Sequence, residues 1–151
     1  MERSVAGRYH STAMTNPRVP DMTLSMTWQG EERFHGVSRG ASILVDGKGQ
    51  AGPSPVQTLA FSLGGCMGID VADVIVKGRF ELKALTCDLQ VFRSPETPKR
   101  IVGVNLHYAV SGNVPEDRVA RAIELSRDKY CSVWHSLNPD IDFKTSFTVT
   151  A

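Results

Sequence analysis

Cysteine is scarce in this chain, with only Cys66, Cys87 and Cys131 among 151 residues. An odd count without dense, even spacing excludes the disulfide framework that staples small secreted domains. Charge of one sign is also lacking. Seventeen Lys and Arg stand against sixteen Asp and Glu, so no broad field draws in phosphate backbones or an anionic membrane. Neither nucleic acid nor a membrane is therefore expected as a partner. The stretch 1–21 is polar, carries Pro17 and Pro20, and has no uninterrupted apolar run of the kind a secretory signal or membrane span needs. It reads as a flexible N-terminal arm, residues 22–151 as a single domain, and the protein as cytoplasmic. Local metal-ligand spacing is missing too: no Cys-x-x-Cys or His-x-x-x-His occurs, and His10, His35, His107 and His135 are scattered. No metal or other cofactor is expected on that ground. No Gly-x-Ser-x-Gly elbow marks a serine hydrolase, and no glycine-rich phosphate loop follows a strand.

What is present has the composition of a soluble globular domain, 41% apolar and 22% charged. Residues 22–28 alternate apolar and polar side chains, the period of a half-buried strand. Two short strands are predicted over 33–37 and 41–45, separated by Ser38-Arg39-Gly40 and closed by the turn formers at 46–49. From Pro55 the period changes. Val56, Leu59, Ala60, Leu63, Met67, Val71, Val74 and Ile75 recur at spacings of three and four, predicting a helix to about Lys77. Ser54 supplies an N-cap, Pro55 the first position, and Lys77-Gly78 the stop. Gly64-Gly65 inside it costs about 1 kcal/mol per glycine relative to alanine, which close packing or function must offset. Residues 80–92 and 99–110 read as a hairpin, 115–129 as a second helix, 131–137 as a short further helical turn, and 141–149 as a last strand.

The order βββ-α-ββ-α-β makes an α+β domain. A helix as apolar all round as 55–77 needs cover on both sides, and six strands with one other helix barely supply it. Dimerisation is the simplest remedy.

Cys66, in the middle of that helix, would by itself read as a small core side chain. Cys131, beside Trp134 and His135, changes the weighing. Two thiols that meet in the fold can pass through a sulfenic acid to a disulfide, the chemistry of thiol peroxidases. A thiolate in apolar surroundings needs a cation or donor from elsewhere. Arg39, in a turn beside the first sheet, is the first candidate and Arg33 the fallback, each weighed against an ordinary solvated arginine. Cys87, on a strand, reads as a packing residue.

The run from Gly52 to Asp70, Gly-Pro-Ser-Pro-Val-Gln-Thr-Leu-Ala-Phe-Ser-Leu-Gly-Gly-Cys-Met-Gly-Ile-Asp, resembles the first-cysteine helix of the OsmC/Ohr family. Lys129-Tyr-Cys131-Ser-Val133 resembles its second-cysteine segment. The resemblance covers the chain from about Met22 onward. It implies an intertwined homodimer with antiparallel sheets packed around central helices and two sites at the subunit interface. It implies a peroxidatic Cys66 and a resolving Cys131, an organic hydroperoxide or hydrogen peroxide as substrate, and a dithiol reductant such as a lipoylated protein. Arg39 best matches the family's site arginine. The family's carboxylate, nine or ten residues before the cysteine, is replaced here by Gln57 or Val56. Gln57 can offer the arginine only a neutral hydrogen bond where a carboxylate would grip it bidentately, which lowers the expected peroxidase activity. The alternative expectation is a binding protein that holds a hydrophobic small molecule in the dimer cleft around Phe61, Met67 and Trp134, with idle thiols.

Overall fold

A computed structural model describes residues 19–151. The arm expected over 1–21 lies almost wholly outside them. Three strands, β1 (Ser25–Trp28), β2 (Arg33–Ser38) and β3 (Ala41–Asp46), form an antiparallel meander. The first is shorter than the alternation predicts. Its ladder begins at the Ser25–Val37 pair, and upstream the Ser38 hydroxyl donates to the Thr23 carbonyl at 2.8 Å in place of a further rung. At the far end of β3, buried Asp46 organises the turn by accepting from the backbone N–H groups of Lys48, Gln50 and Ala51. Those donors hold its carboxyl below the usual range.

Helix α1 (Pro55–Lys77) has the bounds its periodicity and caps predict. Ser54 and Gln57 close a capping box: Gln57 N–H donates to Ser54 Oγ at 3.3 Å, and Ser54 N–H donates to Gln57 Oε1 at 2.8 Å. The second sheet is built from β4 (Glu81–Arg93), β5 (Ile101–Asn113) and β6 (Asp142–Thr150), in that spatial order. β4 and β5 are an antiparallel hairpin, while β6 runs parallel to β5. A parallel neighbour requires a crossover. Helix α2 (Glu116–Leu125), a π-helical turn over Ser126–Tyr130 and the short helix α3 (Ser132–His135) supply it.

The core lies where α1 and α2 meet this second sheet. Leu63, Met67, Val71 and Ile75 from α1 pack with Val104, Leu106, Tyr108 and Val110 from β5 and with Val119, Ala122 and Ile123 from α2. Gly64 fits closely here, since a Cβ on it would stand 2.6 Å from Leu89 Cδ1. Close packing against a side chain of β4 thus accounts for Gly64. Gly65 faces open space.

One copy leaves much apolar surface bare. Met22, Leu24, Met26, Trp28, Phe34 and Ile43, on or beside the first sheet, are exposed, as are Leu59, Phe61, Ile69 and Val76 on α1. The first sheet touches the rest of its own chain chiefly through β3 and α1. By length and hydropathy α1 would pass for a membrane span, yet one side of it is clad by strands and α2.

Candidate functional site

Cys66 and Asp70 are one helical turn apart on α1, so their side chains rise from the same face. That face meets the end of the crossover. The second helix, predicted to run to Lys129, is α-helical only to Leu125 and then widens into the π turn. Cys131 N–H donates to the Ser126 carbonyl at 2.8 Å, five residues back. Such insertions re-aim the residues that follow them and recur at functional sites. Two contacts fix this one: Ser126 Oγ, fully buried, donates to Asp70 Oδ2 at 2.8 Å, and Trp134 stacks on Phe143 of β6 with ring centroids 4.4 Å apart.

The result is a cluster of two sulfurs and a carboxylate. The Sγ atoms of Cys66 and Cys131 and a carboxylate oxygen of Asp70 all lie within 4.8 Å of one another. All three cysteines are free thiols. Cys66 is half-buried, whereas Cys131 is 0% exposed. Burial pushes the Cys131 thiol up to about 11, and the neighbouring Cys66 adds to the rise. Against this, Trp134 N–H donates to Cys131 Sγ at 3.3 Å, which favours the thiolate. Given an oxidant that takes two electrons, the more accessible Cys66 and the sheltered Cys131 can join in a disulfide without large movement.

Cys87 belongs to another surface. On β4 it sits against α1, its Sγ 3.0 Å from where a Cβ on Gly68 would stand, and burial raises its thiol pKa. It lines an open apolar groove of about 740 Å³, with Ala60, Phe61, Gly64, Ile69 and Leu85, to which Cys66 and Cys131 do not contribute. The packing reading of Cys87 agrees with this placement. Between the two regions lies Tyr108, 0% exposed, its hydroxyl without a hydrogen-bond partner among the described residues. Burial raises its pKa, reinforced by Cys87, Cys131 and Asp70.

The other expected site residues are not gathered at the sulfurs within one chain. Arg39 occupies the β2–β3 turn at φ +48°, and its Nη2 donates to the Asp21 carbonyl at 2.8 Å. Arg33 lies 3.6 Å from both Asp46 and Glu31. Gln57 spends its amide oxygen on the helix cap, and nine residues of α-helix put it about 13 Å along the axis from Cys66. Among the described residues no cation is hydrogen-bonded or ion-paired to any group of the Cys66, Cys131 and Asp70 cluster. Sequence reasoning missed Asp70, Ser126 and Tyr108. Only Asp70 carried a signal, its i,i+4 spacing from Cys66.

Comparison with known proteins agrees with the architecture. A family model described as OsmC-like protein matches residues 47–146. Protein YhfA of Escherichia coli strain K12 is 36% identical over 133 residues, covering 86% of this chain and 99% of its own length. Among solved structures, a hypothetical protein from Aquifex aeolicus superposes with a TM-score of 0.81 at 27% identity, over 87% of this chain and 98% of that one. The organic hydroperoxide resistance protein OhrB of Bacillus subtilis shares the fold with a TM-score of 0.60 at 15% identity, over 84% and 97% of the respective chains. On the match of the family model to two thirds of its length and on its identity to YhfA, the chain belongs to the family of OsmC-like proteins.

Proposed function

We propose that this protein is a thiol-dependent peroxidase that reduces organic hydroperoxides or hydrogen peroxide in the cytoplasm, working as an intertwined homodimer. The observation that carries the reading is the meeting of Cys66 and Cys131, 65 positions apart in sequence, with their sulfurs within 4.8 Å. Cys66 is the nucleophile because it is the sulfur with access. Its thiolate attacks the distal peroxide oxygen, the O–O bond breaks, and the alkoxide takes a proton to leave as alcohol. Cys66 is then a sulfenic acid. Cys131, held protonated by burial, attacks that sulfur once its proton is taken up, for which the Asp70 carboxylate stands within 4.8 Å. Water leaves and the disulfide forms. A dithiol such as a lipoylated protein returns both sulfurs to thiols and is itself oxidised.

The bare apolar surface supports the dimer. Seating the first sheet and the outer face of α1 against a second copy removes it from water, and brings the β2–β3 turn with Arg39 to the neighbouring copy's thiols. Arg39 then lowers the Cys66 thiol pKa and orients the peroxide oxygens. Gln57, busy in its cap, grips that arginine weakly. A second reading, retention of a hydrophobic small molecule, is favoured by the apolar groove beside Cys87. The groove lies on a different side of α1 from the two sulfurs, so binding there leaves them uninvolved.

The test is thiol titration of the reduced protein after cumene hydroperoxide. The expected result is loss of two of the three thiols per chain, no loss in Cys66→Ser, and a sulfenic acid trapped by a cyclic dione in Cys131→Ser. Three thiols surviving in the wild-type protein would overturn the reading.

A further inference from the structure

The cluster of Cys66, Asp70 and Cys131 has the donors of a metal centre, and no local spacing in the sequence could show it because the third ligand arrives through the π turn. We propose that the reduced site takes up a thiophilic divalent cation of the Zn²⁺ type, held by the two sulfurs and the Asp70 carboxylate with one tetrahedral position open.

Four observations lead there. Zn–S bonds of about 2.3 Å and Zn–O bonds of about 2.0 to 2.2 Å place tetrahedral ligand atoms roughly 3.5 to 3.8 Å apart. The three donors already lie within 4.8 Å of one another, so closure on an ion takes a contraction of about 1 Å, within the reach of small side-chain rotations. Cys66 and Asp70 rise from successive turns of a rigid, fully capped helix, which fixes two ligands in advance. The outer contacts of a metal centre are in place as well. Buried Ser126 holds Asp70 Oδ2 at 2.8 Å, and the Trp134 N–H points at Cys131 Sγ from 3.3 Å; such contacts orient ligands and tune their basicity. Finally, the Tyr108 hydroxyl is fully buried, lacks a partner among the described residues, and lies in the field of Cys131 and Asp70. A cluster of Zn²⁺, two thiolates and a carboxylate carries a net charge of −1, and a buried hydroxyl donor answers that charge.

The balance is simple. Two thiols lose their protons, the cation gains two Zn–S bonds and one Zn–O bond, and no electrons move. Metal occupancy and the disulfide exclude each other, because both need the same sulfur lone pairs. The cation would thus hold the site reduced and shield it from peroxide. The inference uses the thiols of the proposed peroxidase but stands on the ligand geometry, not on that activity.

The experiment is anaerobic titration of the reduced, full-length protein with Co²⁺, followed by displacement with Zn²⁺ in competition with a chromophoric chelator. Expected are one equivalent per chain, the visible ligand-field bands of tetrahedral Co²⁺ with a near-ultraviolet thiolate charge-transfer band, and slower alkylation of Cys66. Cys66→Ser and Cys131→Ser should abolish the signal and Cys87→Ser leave it whole. Ser126→Ala should weaken Zn²⁺ binding about 10-fold, and circular dichroism of each variant checks that it is folded. The proposal is overturned if wild-type protein gives no tetrahedral cobalt spectrum, if Cys87→Ser removes it, or if Asp70→Asn binds as tightly as wild type. Peroxide-driven thiol loss measured in chelator separates the two ideas: thiol loss without a cobalt spectrum sinks the metal site alone, and a cobalt spectrum with peroxide-inert thiols sinks the peroxidase alone.

Discussion

Burial of the Cys131 thiol makes alkaline stability a direct readout of the site. The group is 0% exposed, and its pKa rises from the ordinary 9.0 to about 11, first through burial. An unfolded chain gives up this proton near pH 9, while the folded chain keeps it until about pH 11. The stabilisation is therefore fully present below pH 9 and is lost as pH climbs through 11. The loss across this window is on the order of 3 kcal/mol, of which about half is gone by pH 10. Urea unfolding of wild type and Cys131→Ala, at one protein concentration and with a non-thiol reductant, isolates the term. The alanine cavity adds an offset that does not vary with pH, the groups that do not interact with Cys131 cancel in the difference, and making both proteins in a Cys66→Ser background removes the neighbouring thiol that does. The stability gap between the two proteins should be level up to about pH 8 and shrink by roughly 1 to 2 kcal/mol at pH 10. A gap that stays level to pH 11 would mean that the thiol ionises at its ordinary value, and the sheltered, protonated Cys131 of the resolving step would be refuted.

Other expectations follow from single contacts. Tyr108→Phe removes a buried hydroxyl that has no partner among the described residues, so stability measured by urea unfolding should hold or rise by about 1 kcal/mol; a loss of that size would reveal a partner for the hydroxyl. Gly112 sits at φ +135°, and a Cβ there would stand 2.1 Å from the Glu81 carbonyl oxygen; Gly112→Ala should cost at least about 1 to 3 kcal/mol, and an unchanged melting temperature would contradict it. Exposed Phe61 and Ile69 on α1 should be buried in the proposed dimer, so that Ile69→Asp weakens association by about 2 kcal/mol or roughly 30-fold; sedimentation that shows wild type and variant equally monomeric, or equally dimeric at every dilution, would count against that interface. Arg39→Ala should slow peroxide-driven thiol loss without altering the unfolding curve, and equal rates would remove Arg39 from the site.

How much of this was legible in the chain depended on whether the signal was local. Helix α1 was, because its period, its Ser54-Pro55 start and its Lys77-Gly78 stop all lie within it. The six strands and their order were too, with β1 trimmed by the Ser38 to Thr23 hydrogen bond. The π turn was not. Nothing in Ser126–Tyr130 disfavours an α-helix, and the widening is tied down from outside, by Asp70 on Ser126 and by Phe143 on Trp134. The parallel pairing of β6 escaped for the same reason, since its partner β5 lies across a crossover.

The same division explains the site. Cys66 and Cys131 stood out as residues, but their meeting depends on five residues of widened helix that turn Cys131 inward. Asp70 was in plain view one turn from Cys66, yet an acid on a helix ordinarily reads as a solvated side chain until something buried grips it. Ser126 is that grip, and it is recognisable only in the fold. The cation proposed for Cys66 is the opposite case. Arg39 is legible in sequence as an arginine in a turn, and among the described residues of one copy its guanidinium hydrogen-bonds the Asp21 carbonyl alone. Among the described residues, a sheet with that much apolar surface in water and a thiol pair without a hydrogen-bonded or ion-paired cation are two deficits of the same single chain. The proposed second copy, laid against the first sheet and α1, would answer both, which is why the proposed dimer and the proposed activity are best tested together: a protein that sediments as a monomer should also leave Cys66 slow toward peroxide.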